Sequence, residues 1–230
     1  MLRRPQRSPK GFTLLELIGV LGVVAILASL AIGAVRGAKQ RANIERARGE
    51  LAALVTALEN YKRHYGDYPW LGTPGFNQAT PLLPTATTTG PGTSSVQSKL
   101  FNCLTGVFGP KAFASSDRVN GPNFLDVGKF TVNGTLTATT FLVPVVATRG
   151  APPVKQEQNV GLVDPWGRYY VYYYKSPSNP GAWQAPSYVL YSAGPTVAAS
   201  GSQTPPINTS TGLMLATQTA EMLDNVSANP

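Results

Sequence analysis

Few residues in this sequence have side chains suited to chemistry, and their spacing serves little of it. The cysteine Cys103 and the histidine His64 each occur once. A thiol and an imidazole make a nucleophile and base when a fold brings them into hydrogen-bond reach. Each also has a plainer reading here: Cys103 as a small buried hydrophobe, His64 as a group near the end of a helix, where it favours the dipole. One cysteine cannot close an internal disulfide, and a single Cys and a single His leave no material for a zinc cluster. Gly121 and Gly128-Lys129 superficially resemble a phosphate-binding loop. Six residues separate the glycines where four are needed, and Phe130 stands in place of the required Ser or Thr. Asn133-Gly134-Thr135, Asn208-Thr209-Ser210 and Asn225-Val226-Ser227 fit N-x-[ST], a pattern short enough to arise by chance. Tyr169, Tyr170, Tyr172, Tyr173 and Tyr174 form either a ligand surface or a strand. The strand is the expectation, with alternate rings packing on a helix and the others shielding the sheet. No acid, base and nucleophile set can be assembled, so no enzyme activity, cofactor or metal is expected.

Glu16 is the exception. It is the one ionisable residue in the apolar run of residues 12–35. As a helix that run is about 36 Å long, enough to cross a hydrocarbon core of roughly 30 Å. An acid within such a span costs about 2.5–3.5 kcal/mol at its centre and is a functional candidate by default. Two readings stand. Glu16 snorkels near the membrane edge, or the chain is cut between Gly11 and Phe12. The cut would leave a new α-amine one turn from the carboxylate, on the same face, where the two attract strongly in low dielectric. If a neighbouring subunit offers the amine, Glu16 sets the stagger between parallel helices.

The elements that would position these residues follow from charge and periodicity. The chain has 230 residues, 19 Lys+Arg and 11 Asp+Glu, for a formal net charge of +8. Charged residues are 13% of the chain, about half the roughly 25% usual in soluble domains. A basic chain invites a nucleic-acid reading, but residues 66–230 carry only +1. Residues 1–11 hold +4 and residues 36–65 another +4. A basic segment before an apolar run keeps the N-terminus in the cytoplasm and exports the rest. An ordinary signal peptide has a shorter apolar core, about 7–15 residues; Ser29-Leu30-Ala31 would be a poor cleavage site for one. A buried soluble helix, apolar on all faces, would need a larger protein around it.

Beyond Arg36 the helical pattern becomes one-sided. Ile44, Ala47, Leu51, Leu54, Val55, Leu58, Tyr61 and Tyr65 form an apolar stripe, while Arg41, Glu45, Arg46, Arg48, Glu50, Glu59 and Lys62 fill other faces. Glu59 and Arg63 are spaced for a surface ion pair. No proline falls between residues 10 and 69, so one helix from about Phe12 to Tyr65 is expected, ending at Gly66-Asp67-Tyr68-Pro69. Residues 70–125 are loop-rich, with a helical turn at 99–104. Strand signals lie at 126–132, 139–147, 168–175 and 187–192, the last two forming an antiparallel hairpin. Pro144 suggests an edge strand. The fold class expected is α+β, a long helix whose C-terminal half packs on a small antiparallel sheet. The domain organisation expected is a leader at 1–11, a helix at 12–65 that spans the membrane over 12–35, and an exported domain at 66–230. That domain carries a loop-rich insertion at about 70–160.

Lys10-Gly11-Phe12-Thr13-Leu14-Leu15-Glu16-Leu17 resembles the class III signal of type IV pilins and pseudopilins. It has a short basic leader, Gly before the cut, Phe after it, Glu at the fifth mature position, and an uninterrupted apolar helix. The resemblance implies that a prepilin peptidase cleaves after Gly11 and methylates Phe12, and that Glu16 assists subunit docking. ARGELAALVTALENYKRHYGDYPW resembles the amphipathic helix and turn of the major pseudopilin of type II secretion systems. Asp164-Pro165-Trp166-Gly167-Arg168-Tyr169-Tyr170 resembles that family's DPWGNPY segment, and Tyr191-Ser192-Ala193-Gly194-Pro195 its YSAGPD turn. Similarity covers about residues 8–70, 162–173 and 188–195.

The resemblance implies a pilin-like fold and a filament subunit, most closely of a type II secretion pseudopilus. The alternative is a minor type IV pilin with an adhesive, substrate-binding or DNA-binding role. Implied partners are other copies and related subunits through the N-terminal helix, the prepilin peptidase, an inner-membrane assembly platform, and membrane lipid before assembly. Nucleic acid is not an expected partner. The implied location is single-pass in the inner membrane, N-terminus cytoplasmic, with the C-terminal domain periplasmic or, after assembly, extracellular. Gly19, Gly22 and Gly33 would let helices approach closely and unwind locally. Many such pseudopilins bind calcium after the YSxG turn, but here residues 195–202 contain no acid and Asp224 is the nearest candidate. Calcium requires oxygen ligands, commonly carboxylates, so no family-type site is expected.

Overall fold

The computed structural model describes residues 14–72, 91, 95–114, 117–135, 155–195, 205–217 and 226–228, and within them not the side chains of 30–34 and 135. Two compact units are distinguished, Met1–Ala42 and Asn43–Pro230. Helix α1 runs Leu14–Tyr65, as the proline-free stretch predicts. It ends as the sequence signals suggest. Lys62, Arg63 and His64 occupy the last turn, where positive groups suit the dipole. Gly66 takes φ +86° and its N–H donates to the Lys62 carbonyl at 2.7 Å, a left-handed termination open mainly to glycine.

In the second unit, residues from Ala47 to Tyr61 of α1 supply one wall of the core. Ala47, Leu51, Leu54, Leu58 and Tyr61 are at most 2% exposed. Each buried leucine contributes about 1.5–3 kcal/mol by leaving water. Helix α2 (Val96–Leu104) is longer than the expected turn because Ser95 caps it, its hydroxyl accepting from the Ser98 N–H at 3.2 Å. The Asn102 side chain anchors α2 to the sheet. Its amide donates to the Gln158 carbonyl and its carbonyl accepts the Gln158 N–H, both at 2.8 Å.

The strands are β1 (Thr131–Thr135), β2 (Asn159–Val163), β3 (Val171–Tyr173), β4 (Val189–Ser192) and β5 (Val226–Ser227). β1 pairs with β2, and β3–β4–β5 form a second sheet, antiparallel throughout. The isolated bridge Val163↔Tyr169 links the end of β2 to the approach to β3. The fold is α+β, an N-terminal helix packed on small antiparallel sheets, consistent with the pilin-like fold expected. The hairpin of β3 and β4 is present, with Tyr172 opposite Leu190. Tyr170, Tyr172 and Tyr174 enter the core beside Leu51, Leu54 and Leu58. Val171 and Tyr173 turn the other way, into a smaller cluster with Tyr191 and Ile207. The tyrosine run therefore alternates as a strand should.

Several expectations need correction. The strand expected at 126–132 begins as a 3₁₀ turn, Val127–Lys129, and β1 starts only at Thr131. Strand β2 was not anticipated, since its five residues include Gly161 and give little alternation to read. Glu50 does not lie on the exposed face; it is 6% exposed within the buried stripe. Glu59 accepts the Tyr68 hydroxyl at 2.6 Å in place of the expected pairing with Arg63. The strand at 139–147, Pro144 and residues 73–90, 92–94, 115–116 and 136–154 of the 70–160 insertion lie outside the described residues.

Candidate assembly and processing site

Glu16 lies in the first turn of α1, where a carboxylate complements the positive end of the helix dipole. It is exposed, as are the apolar side chains around it. Every large apolar residue from Leu14 to Leu27 is more than half exposed, from 54% at Val24 to 81% at Leu15. An apolar surface on all faces of a helix is covered in the working state by lipid or by other helices. Gly11 and Phe12 lie outside the described residues. Among the described residues no helix is long and apolar enough to cross a membrane. The described side chains of the apolar run stop at Ser29 and resume at Val35, so the span expected over 12–35 is not shown.

In the second unit, the segments that resemble family motifs meet in a buried polar cluster. Asp164 Oδ1 accepts the backbone N–H groups of Trp166 and Arg168, at 3.0 and 2.8 Å. Its Oδ2 accepts the Ser192 hydroxyl at 2.5 Å. The Arg168 guanidinium donates to the carbonyls of Ala193 at 3.1 Å and Pro195 at 3.3 Å. Ser192 Oγ also accepts the Gly194 N–H at 3.2 Å. Thus 164–168 and 192–195 close on one another, with Asp164 and Arg168 each 2% exposed. Burial pushes the Asp164 carboxyl upward, against the hydrogen bonds from Ser192, Arg168 and Trp166 and the nearby Arg168 charge.

Two further carboxylates tie α1 and the turn after it to the tyrosine strand. Glu50 accepts the Tyr170 hydroxyl at 2.6 Å and the Arg46 guanidinium at 2.7 Å. Arg46 also donates to Thr131 Oγ1 at 2.8 Å, at the start of β1. Burial, then the Glu50 hydrogen bond, push the Tyr170 hydroxyl pKa up. Asp67 accepts Trp70 Nε1, the Tyr68 N–H and the Tyr174 hydroxyl, each at 2.9 Å, with Lys175 Nζ at 3.5 Å. Burial pushes this carboxyl up, but those donors and the Lys175 charge together hold it below its ordinary value. Sequence reasoning missed both roles. The available signals were the placement of Glu50 beside Leu51 and four residues after Arg46, and of Asp67 inside a turn rich in aromatic donors.

The residues considered for chemistry are not brought together. Cys103 is buried, its Sγ 4.0 Å from the Gly109 carbonyl, and burial pushes its thiol pKa up, which suppresses the reactive thiolate. His64 instead sets its ring edge-on to Tyr65, at 4.6 Å between centroids. Lys129 pairs at 3.4 Å with Asp126. Asn133 donates to the Tyr169 hydroxyl at 2.9 Å, and Asn208 Oδ1 accepts the Ser210 N–H at 3.0 Å. Asn225 lies outside the described residues. Among the described residues no group of three or more His, Cys, Asp or Glu could hold a metal. Residues 196–202 and Asp224 are outside them.

Comparison with known proteins supplies the context for Glu16. Residues 6–32 match the prokaryotic N-terminal methylation motif. The chain is 39% identical over 64 residues to type II secretion system core protein G of Aeromonas hydrophila. That match spans 28% of this chain and 45% of the relative, so the chain covers less than half of its relative's length. No solved structure matches the chain.

Proposed function

We propose that this chain, a pilin-like subunit by its methylation motif and its likeness to a secretion protein G, is a precursor cleaved after Gly11 and assembled into a filament. The filament is most closely a type II secretion pseudopilus. In this reading Phe12 becomes the methylated N-terminus. The apolar part of α1 resides in the inner membrane before assembly and packs against the same helix of other copies afterwards. Glu16 meets the new amine of a neighbour and fixes the stagger between subunits. A prepilin peptidase and an inner-membrane assembly platform are the partners this requires. The subunit works by assembly and carries out no catalysis.

The observation that carries the reading is the methylation motif at the head of a helix whose apolar side chains are exposed on every face, with one carboxylate in its first turn. The test is expression of the full chain with a prepilin peptidase and a secretion assembly platform. Mass spectrometry should find a protein starting at Phe12 and carrying one extra methyl group, and Gly11→Val should leave the leader attached. Glu16→Ala should insert and be cleaved, yet yield far fewer sheared filaments. Wild-type filament levels from Glu16→Ala would remove the docking role.

A further inference from the structure

The loop that joins β3 to β4 meets the 205–217 segment around a cavity of about 130 Å³. Two aromatic rings, Tyr174 and Trp183, line it with the neutral polar residues Ser176, Asn179, Thr209 and Ser210. None of its described lining residues carries a charge. Its volume is well below the roughly 300–1,000 Å³ of cavities that enclose drug-sized ligands, which limits an occupant to about one small ring.

Both aromatic walls are held in place before any ligand arrives. Trp183 Nε1 donates to the Ser187 carbonyl at 3.0 Å. Its ring stands edge-on to Tyr174, 5.9 Å between centroids. Gly212, at φ +75°, leaves the ring the space that a Cβ would take. The Tyr174 hydroxyl donates to Asp67 at 2.9 Å. By contrast, the Asn179 carboxamide and the Ser210 hydroxyl are exposed and make no side-chain hydrogen bond among the described residues. A carboxamide offers two donors and an acceptor oxygen, and a hydroxyl both donates and accepts. Rigid aromatic surface spends little entropy on binding.

The geometry points to a binding site for a single neutral sugar unit, whose C–H face lies against the half-buried Trp183 and whose hydroxyls bond to Asn179 and Ser210. Such a ligand presents an apolar face and an edge of hydroxyls that donate and accept, which is the complement of this lining. No described lining residue is a cation, and Lys175, whose Nζ lies 5.0 Å from the Tyr174 ring centroid, is paired with Asp67 at 3.5 Å, so a phosphate or carboxylate would have to compete with that carboxylate. Cooperation of an aromatic wall with a few neutral hydrogen bonds gives millimolar affinity. The site lies in the second unit, remote in sequence from Glu16, so it is independent of the assembly reading.

The test uses the full chain in a detergent without sugar headgroups. Tryptophan fluorescence and saturation-transfer NMR are followed against methyl glycosides of glucose, galactose, mannose and N-acetylglucosamine. Glucose 6-phosphate and sialic acid serve as charged comparisons, and matching oligosaccharides as a second source of the same terminal unit. At least one neutral glycoside should give saturable binding, matched by the oligosaccharide that ends in it. Asn179→Ala and Ser210→Ala should each weaken binding about fivefold, as loss of one neutral hydrogen bond implies, with an unchanged melting temperature. Trp183→Phe is the further probe and should also weaken binding. Absence of saturable binding by any neutral glycoside, equal binding of the charged sugars, or unchanged affinity in an Asn179→Ala/Ser210→Ala double variant would overturn the assignment.

Discussion

Glu50 shows how one side chain carries consequences for stability. It is buried and relies on Arg46 and Tyr170 for its hydrogen bonds. Removing one donor from a buried carboxylate costs about 1.5–3 kcal/mol, more than a neutral hydrogen bond. Tyr170→Phe should therefore lower the urea-unfolding free energy by that amount. Arg48→Ala, which breaks an exposed pair with Glu45 at 2.6 Å, should cost less than about 0.5 kcal/mol. Equal losses in the two variants would mean that Glu50 is solvated. Asp67 gives a pH dependence with a definite sign. Its folded carboxyl is held below the ordinary 3.8, so it contributes stability above that pH and loses it as pH falls through the lower folded value. Asp67→Asn should be less stable near neutrality and show a shallower acid decline below about pH 4, measured as melting temperature against pH.

The turns and strand pairs are held by single residues. At Gly134 in β1, φ is +138°, and a Cβ there would run into the backbone carbonyl of Asn159 in β2. Gly134→Ala should part the β1–β2 ladder, at a cost of about 1–3 kcal/mol. Hydrogen exchange should then speed up over 131–135 and 159–163 while the β3–β4 pair keeps its protection. Arg168 spans two turns, donating to the Ala193 and Pro195 carbonyls beside Asp164. Arg168→Met keeps much of the volume but strips a buried cation from its partners, and should cost about 3 kcal/mol or more. Faster exchange at 192–195 would locate the damage; a globally uniform loss would assign Arg168 a packing role alone.

At the scale of the whole chain, the net charge of +8 is a matter of placement. Loss of residues 1–11 under the proposed processing leaves 15 bases against 11 acids, or +4, and residues 66–230 account for only +1 of it. Binding to DNA is driven by clustered cations and falls steeply with salt. The processed chain should therefore show no salt-sensitive shift of duplex DNA by gel assay at physiological ionic strength. A clear shift that vanishes with added salt would favour the binding role of a minor pilin over that of a secretion filament. The exposed apolar face of α1 makes the complementary prediction. The full chain should partition with membranes before assembly, and should resist extraction by high salt while yielding to detergent.

The sequence by itself determined the parts written in local chemistry. The proline-free stretch and its stripe gave α1 and its buried face, Gly66 gave its end, and alternation gave the two faces of the tyrosine run. The N-terminal methylation motif over residues 6–32 is contiguous and therefore legible along the chain. Tertiary structure alone decided where the buried polar groups find partners. Glu50 and Tyr170 are 120 residues apart, Asp164 and Ser192 are 28 apart, and Asn102 meets Gln158 across 56. A helical period reports which face is apolar, but a carboxylate on that face is tolerated only if a distant donor arrives, and no local pattern encodes that arrival. The same holds for the aromatic cavity, whose Trp183 wall is made possible by Gly212, a residue with no side chain to announce it.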